Sequence, residues 1–218
     1  MTSIASRVEE MHQGMAGRMP EEVAARFAQE QAALDAAGTP AEVAKPGSAM
    51  PDGDLLDAHG TPTTLTAATA GKPAVVVFYR GGWCPYCNLA LRAYQQELVP
   101  ALESRGAALV AVSPQKPDGS LSAQEANELN YAVLSDPGNQ IAGQLGILTA
   151  PSDGARESQL AMGLDLTAVN ADGTTTLPMP TTVVLDAEGV IRWIDVHPNY
   201  TTRSEVSDIL AALDSITA

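Results

Sequence analysis

The sequence predicts an α/β protein in which a mixed central sheet is flanked by helices, preceded by a helical arm at the N-terminus. Two apolar runs, Ala74–Tyr79 and Ala107–Val112, have the composition of strands buried on both faces. Between them, the stretch from Cys84 or Pro85 to about Arg105 carries apolar residues on one helical side. Strand, helix and strand make a βαβ unit, so we expect the two strands to be parallel.

The later part of the chain predicts the remainder of the sheet. Thr181–Leu185 and Val190–Ile194 flank the turn sequence Asp186–Gly189, which indicates a hairpin and therefore a mixed sheet. Residues 149–176 are polar and glycine-rich, and we interpret them as an insertion with a short helix near 155–163. The pattern also predicts short strands at 55–57 and 130–134, and helices at 120–129, 137–145 and 202–216.

The N-terminal residues 1–38 predict a helical arm, separate from a main domain over 47–218. Apolar residues recur from Ile4 to Met15 at spacings of three and four, and Pro20 suits the first turn of a second helix. An amphipathic face must be covered, but its pattern does not say by what. Two interpretations stay open, packing on the arm's own domain and contact with a second copy in a homodimer.

The composition indicates an acidic protein with a sizeable core. Hydrophobic residues make up 45% of the 218 residues, and the formal net charge is −14. An acidic surface repels phosphate backbones and anionic lipids, so neither nucleic acid nor a membrane is an expected partner. No apolar run reaches the roughly 18 residues that span a bilayer. The first residues lack a basic region followed by an apolar stretch, which predicts a cytoplasmic location.

The chain has two cysteines, Cys84 and Cys87, in the sequence Cys84-Pro85-Tyr86-Cys87. In a reducing compartment, an isolated C-x-x-C beside a βαβ pattern indicates thiol–disulfide chemistry. Cys84 stands where a buried strand, a Gly-Gly turn and a helix meet, and Pro85 suits the first helical turn. Free amide groups and the helix dipole at such a position lower the pKa of a thiol. Arg80 adds a positive charge nearby, and Trp83 could shield the sulfur from water.

Two other interpretations of the cysteines are weaker. The cysteines could be buried apolar residues of the core, but this role requires neither the C-x-x-C spacing nor a position at a strand–helix junction. As half of a zinc site they would need completion by His59 or His197, yet structural zinc takes four ligands with paired spacing. The predicted chemistry therefore needs neither a metal nor an organic cofactor.

Two segments resemble the active site of the thioredoxin superfamily. One is the strand ending at Tyr79 that is followed by Trp83 to Cys87, and the other is Met179-Pro180-Thr181 ahead of a strand. The second segment is similar to the superfamily's cis-proline loop. The resemblance implies a thioredoxin fold, with a cis bond at Pro180 and with Pro180 and Thr181 facing the cysteines.

Within this superfamily, roughly residues 47–215 resemble peroxiredoxins of the alkyl hydroperoxide reductase and thiol-specific antioxidant branch. Their frame, Pro-x-x-x-Thr-x-x-Cys, places Arg80 at the proline, Cys84 at the threonine and Cys87 at the peroxidatic cysteine. The place of the family's peroxide-binding arginine holds Pro180, and the next arginine is Arg192. The stretches that carry the resemblance are Ala49–Gly60, Val75–Cys87, Val112–Gln115 and Leu134–Gly146.

Three functions stay open at the level of sequence. The peroxiredoxin resemblance implies a peroxidase for H2O2 or alkyl hydroperoxides, with Cys87 attacking and Cys84 resolving, recycled by thioredoxin or by glutaredoxin and glutathione. The tetrapeptide Cys-Pro-Tyr-Cys also resembles glutaredoxins, which implies a thiol–disulfide oxidoreductase with Cys84 as nucleophile. The third is a non-catalytic redox sensor or binding module whose working surface is the arm.

Overall fold

A computed structural model describes residues 2–15 and 17–217 and contains a seven-stranded mixed sheet. Its strands in spatial order are β2 (Pro62–Thr63), β1 (Leu55–Leu56), β5 (Ala132–Ser135), β4 (Ala108–Ser113), β3 (Ala74–Phe78), β8 (Thr181–Leu185) and β9 (Ile191–Val196). Strand β4 pairs in parallel with β3 and β5, whereas β8 is antiparallel to β3 and β9. The predicted mixed sheet and its parallel βαβ unit are therefore confirmed.

Helices cover both faces of the sheet, and none of the described helices is long and apolar enough to cross a membrane. They are α1 (Ile4–Met15), α2 (Glu21–Ala37), α3 (Leu65–Thr69), α4 (Pro85–Ala93), α5 (Val99–Glu103), α6 (Pro117–Ala126), α7 (Gln140–Gln144), α8 (Asp153–Ala161), α9 (Leu166–Val169) and α10 (Val206–Thr217). A π-helical segment, Tyr94–Leu98, joins α4 to α5. The wider turn comes just before Pro100, which has no amide hydrogen to donate to the preceding helix.

Several sequence predictions differ from the structure, and the helix predicted at 137–145, for example, covers only Gln140–Gln144. The helix predicted at 202–216 begins only at Val206, because Asn199 accepts hydrogen bonds from the amide and hydroxyl of Thr201 and holds a turn there. The helix predicted at 120–129 begins earlier, with Pro117 in its first turn. The insertion contains more regular structure than predicted, including α9 and a small antiparallel ladder of β6 (Leu148–Thr149) and β7 (Leu177–Pro178).

The core lies on both faces of the sheet because side chains alternate along each strand. Val75 and Val77 face a cluster that includes Leu91 of α4 and Ile209 of α10. Val76 and Phe78 face the opposite cluster, which includes Val110 and Ile141. Burying one such side chain contributes about 1.5–3 kcal/mol, so β3 is fixed from both sides. The loop that follows β3 therefore starts from a rigid strand.

Helix α1 packs on the body of its own chain. Ile4 and Val8 are buried in the cluster that also contains residues of α4 and α10. The carboxylate of Glu205 accepts hydrogen bonds from the amides of Ile4 and Ala5, at 2.8 and 2.9 Å, and so caps the positive end of α1. The first half of this apolar stripe, Ile4 and Val8, is thus covered within the chain. A homodimer through other parts of the arm stays a prediction.

Candidate active site

The two cysteines lie where β3 ends and α4 begins. Cys84 is the N-cap residue of α4 and Pro85 occupies its first turn, whereas Cys87 lies within that turn. Both residues are free thiols, and their exposed fractions are 1% and 0%. The site is therefore withdrawn from bulk water, and any charge in it depends on neighbouring groups.

Two glycines let the chain turn tightly between β3 and Cys84. Gly81 has a φ of +146°, and a Cβ at this position would overlap the ring of Trp83. A Cβ on Gly82 would lie 2.9 Å from the Cβ of Ala123 in α6. The Gly82 amide donates to the side-chain oxygen of Gln115 at 2.8 Å, which fixes the turn against the end of β4. Trp83 is thereby folded back beside the cysteines.

Arg203 belongs to the site, although it was not predicted from the sequence. Its guanidinium is buried, and Nη2 donates to the Sγ atom of Cys87 at 3.0 Å. Nη1 donates to the carbonyl of Tyr200 at 2.7 Å, and the hydroxyl of Tyr94 donates to the carbonyl of Ser204 at 2.8 Å. These bonds fix the loop ahead of α10 so that Arg203 reaches the cysteine.

The two thiols differ in their electrostatic surroundings. Burial and the adjacent Cys87 sulfur raise the pKa of Cys84 well above its ordinary value, although Arg80 and Arg203 act in the opposite sense. Burial also opposes ionisation of Cys87, but a hydrogen bond from Cys84 and the charge of Arg203 lower the pKa of Cys87 well below its ordinary value. The surroundings of the pair therefore favour the negative charge on Cys87 and the proton on Cys84.

Arg80 is the second cation of the site. Its exposed fraction is 5%, and its Cζ atom lies 4.0 Å from the ring centroid of Tyr200 and 5.0 Å from that of Trp83. Such cation–π contacts stabilise a guanidinium that is removed from water. Arg192 takes no part in this arrangement, because it pairs with Asp186 at the β8–β9 hairpin.

The expected cis bond at Pro180 is wrong, since no peptide bond among the described residues is cis. Pro180 leads directly into β8, where its carbonyl accepts a hydrogen bond from the amide of His197 at 2.8 Å. This extended entry suits the trans isomer, which X–Pro bonds favour by about 0.5–1 kcal/mol. Pro180 lines a small cavity together with Arg80, and the Thr181 hydroxyl donates to the carbonyl of Met179 at 2.9 Å.

A cavity of about 630 Å³ opens beside Cys84, between the arm and the body of the chain. Cys84 lines this cavity and Cys87 does not. Tyr86 forms part of the wall, and its hydroxyl lies 2.9 Å from Nε2 of His12 in α1. A molecule that enters the cavity therefore meets Cys84 first, although Cys87 carries the charge. The other lining residues include Met15, Met19, Phe27, Met162, Leu164 and Tyr200.

Among the described residues, His59 and His197, which were considered as zinc ligands, do not form a metal site with the cysteines. His197 lies within hydrogen-bond distance of Asp195, at 2.9 Å, and of Thr202, at 2.8 Å. His59 is exposed in the turn after β1. In the described part of the chain, no three or more His, Cys, Asp or Glu side chains are grouped in a way that could hold a metal ion.

Comparison with known proteins assigns the family. Residues 46–194 match the profile described as the AhpC/TSA family, which is more than half of the chain. The chain belongs to the AhpC/TSA family. It is a peroxiredoxin-like protein of the thioredoxin superfamily, and the arm and the residue Arg203 lie outside the matched segment.

Individual relatives agree with this assignment. The chain is 27% identical over 170 residues to chloroplastic peroxiredoxin Q of Populus jackii, covering 78% of this chain and 68% of that protein. It is 30% identical over 154 residues to chloroplastic peroxiredoxin Q of Gentiana triflora, covering 71% of this chain and 59% of that protein.

Solved structures confirm the predicted thioredoxin fold. Peroxidoxin BcpB from Mycobacterium tuberculosis superposes with a TM-score of 0.61 at 21% identity, covering 80% of this chain and 99% of that one. Reduced Prx3 in complex with H2O2 from Vibrio vulnificus gives a TM-score of 0.63 at 19% identity, covering 78% and 99%. At this identity the likeness concerns the fold alone.

Proposed function

We propose that this peroxiredoxin-like protein is a thiol peroxidase in which Cys87 attacks the peroxide and Cys84 closes the disulfide. The observation that carries the proposal is the hydrogen bond from Arg203 to the Sγ atom of Cys87, at 3.0 Å in a buried site. A thiolate is the nucleophile in such chemistry, and a guanidinium remains charged at every relevant pH. Arg203 therefore stabilises the reactive form of Cys87 in a place where water cannot.

The reaction has two steps within the chain. The Cys87 thiolate attacks one peroxide oxygen, the O–O bond breaks, and the alkoxide leaves with a proton as an alcohol, or as water from H2O2. Cys87 is then a sulfenic acid. The Cys84 thiol attacks this sulfur, a Cys84–Cys87 disulfide forms, and the hydroxyl group leaves as water. Arg80 would stabilise the negative charge that develops on the leaving oxygen, since its positive charge lowers the pKa of both cysteines.

An external dithiol must reduce the disulfide to complete the cycle. We propose thioredoxin, or glutaredoxin with glutathione, in a reducing cytoplasm. Cys84 is the sulfur that this reductant would attack, because it lines the cavity. Two electrons and two protons from the reductant restore both thiols.

One observation favours a second candidate function. Cys84 is the cysteine that borders the cavity and caps α4, as the nucleophile of a thiol–disulfide oxidoreductase would. Its raised pKa argues against this role, since the protonated thiol is a poor nucleophile. In that candidate Cys84 would attack an external disulfide and Cys87 would resolve the mixed disulfide.

Stopped-flow fluorescence with H2O2 tests the peroxidase. A Trp193→Phe background leaves Trp83, beside the cysteines, as the reporter. We expect the reduced protein to react much faster than free cysteine, Cys84→Ser to react once, and Cys87→Ser not to react. A rate no faster than that of free cysteine would contradict the proposal. Reduction of insulin or a glutathionylated peptide without peroxide turnover would instead establish the second candidate.

A further inference from the structure

We propose that the cavity beside Cys84 is a binding site for an organic anion with an apolar body, whose carboxylate is held by Arg80. This inference goes beyond peroxide reduction, because binding requires neither thiol. It rests on three features of the described residues, which are the unused donors of Arg80, the absence of acidic residues from the cavity wall, and the apolar composition of that wall.

Arg80 has hydrogen-bond donors that the chain does not use. A guanidinium carries five N–H donors in one plane. In Arg80 it lies over the rings of Tyr200 and Trp83, and among the described residues it has neither an ion pair nor a hydrogen-bond acceptor. The sulfur of Cys87 receives hydrogen bonds from the Arg203 guanidinium, from the Cys84 thiol and from the backbone of Arg80, so the Arg80 side chain is not needed for this purpose. The Arg80 nitrogens are not among the described side-chain atoms that are buried without a partner, so they keep contact with solvent, and an acceptor on a ligand could replace that water.

Glu30 is an acidic residue that lines a cavity together with Arg80, so its carboxylate could in principle bind Arg80 in place of a ligand. Its Oε1 accepts a hydrogen bond from the amide of Ser152 at 2.8 Å, and its Oε2 is buried without a protein partner among the described residues. Glu30 and Arg80 line a second cavity of about 10 Å³, which has room for roughly one water molecule. Arg80 therefore borders two cavities, and the carboxylate of Glu30 belongs to the smaller one.

The larger cavity has a wall suited to an apolar body. Its described lining contains no aspartate or glutamate, and Arg80 is its one permanently charged residue. Phe27 and Leu164 supply fixed apolar surface, and its volume of about 630 Å³ is typical of small-molecule sites. Met15 and Met162 also line it, with exposed fractions of 39% and 58%. Methionine side chains adapt to apolar groups of different shape, which suits them to the mouth of such a site.

A carboxylate matches this combination better than a neutral group does. It offers two acceptor oxygens in the plane of a guanidinium and neutralises the buried charge. The apolar body then covers the methionines and Phe27. A ligand held in this way lies against Cys84, so it would also close the route by which peroxide reaches the cysteines.

Calorimetric titration with two matched probes, octanoate and octanol, tests this proposal. The titrations use the full chain with Cys84→Ser and Cys87→Ser, so that no thiol chemistry contributes and failure of the peroxidase proposal has no bearing on the result. We expect octanoate to bind at least about tenfold more tightly than octanol, because the two differ in the charged group alone. In the same background, Arg80→Leu and Arg80→Gln should abolish this difference, and Arg80→Lys should retain part of it.

Three results would overturn the proposal. They are equal binding of the two probes, no binding of octanoate, and an unchanged preference for octanoate in a folded Arg80→Leu or Arg80→Gln protein. Near-ultraviolet circular dichroism shows whether each variant is folded. Should both variants unfold, the comparison of octanoate with octanol in the parent protein still decides the outcome.

Discussion

At the scale of single residues, two buried sulfurs share one site and the cations around them are placed unequally. Arg203 donates directly to Cys87, whereas Arg80 lies over two aromatic rings and acts on the sulfurs through its charge. Cys84 contributes its thiol hydrogen to Cys87 and lines the cavity. Cys84 is therefore the cysteine that borders the cavity, whereas Cys87 is the one whose ionised form is stabilised.

The lowered pKa of Cys87 predicts the pH dependence of the reaction. The Cys87 thiolate exists above its lowered pKa, so the peroxide rate should reach a plateau above that pKa and should fall as the pH drops through it, at a pH well below the ordinary pKa of a thiol. Ultraviolet thiolate absorbance, measured against pH, follows the same group. We expect Cys84→Ser to keep a thiolate at neutral pH and Cys87→Ser to lose it, whereas a thiolate that persists in Cys87→Ser would refute the assignment.

Arg203 should control the reactivity of Cys87. Replacing it by methionine removes a charge-assisted hydrogen bond, so the pKa of Cys87 should rise and the rate with H2O2 at neutral pH should fall about tenfold or more. Arg192→Met is the matched control, because Arg192 pairs with Asp186 at the β8–β9 hairpin and should leave the rate unchanged. Equal effects of both substitutions would mean that Arg203 acts only through general charge.

At the scale of elements, strands β3, β4 and β8 could be predicted from the sequence. The loop before α10, which carries Arg203, could not. The apolar runs of β3 and β4 and the turn after β8 are local patterns, and the structure has them within a residue or two. The helix predicted at 202–216 wrongly includes residues 202–204, because the apolar period of α10 does not mark where its first turn begins. Asn199 and Thr201 hold the turn that frees Arg203, and this depends on side-chain hydrogen bonds.

The cap on α1 couples the arm to this same region of the chain. Glu205 lies two residues after Arg203 and accepts from the amides of Ile4 and Ala5. Glu205→Ala should therefore weaken the docking of α1 by about 1 kcal/mol, and hydrogen exchange in α1 should become faster. Glu10→Ala, an exposed substitution on α1 itself, serves as the control. Unchanged exchange in Glu205→Ala would show that packing alone holds the helix.

At the scale of the whole molecule, the arm and the insertion cover one side of a peroxiredoxin-like body. The matched family segment, residues 46–194, contains the cysteine motif and the insertion but neither the arm nor Arg203. A resemblance to the family could therefore predict the fold and the two cysteines. It could not predict how helices outside that segment would form a cavity over Cys84, because that depends on long-range packing of α1 and α2.

The burial of Ile4 and Val8 in α1 predicts how a charged substitution on this face changes stability and oligomeric state. Ile4→Asp places a carboxylate in the core, so the free energy of unfolding should fall by about 2 kcal/mol or more, without a change in oligomeric state. Met15→Asp, at an exposed position of the same helix, should change neither property. Sedimentation velocity and chemical denaturation measure the two quantities. Dissociation of a dimer by Ile4→Asp, with the monomer equally stable, would instead place this face at a contact between copies.

Trapping of the sulfenic acid tests most directly which sulfur attacks. Each single-cysteine protein, Cys84→Ser and Cys87→Ser, is treated with an equimolar amount of H2O2 in the presence of dimedone, and the modified residue is located by peptide mass spectrometry. We expect rapid dimedone modification of Cys87 in Cys84→Ser and little modification of Cys84 in Cys87→Ser. Rapid modification of Cys84 together with an unreactive Cys87 would contradict the assignment of Cys87 as the attacking cysteine.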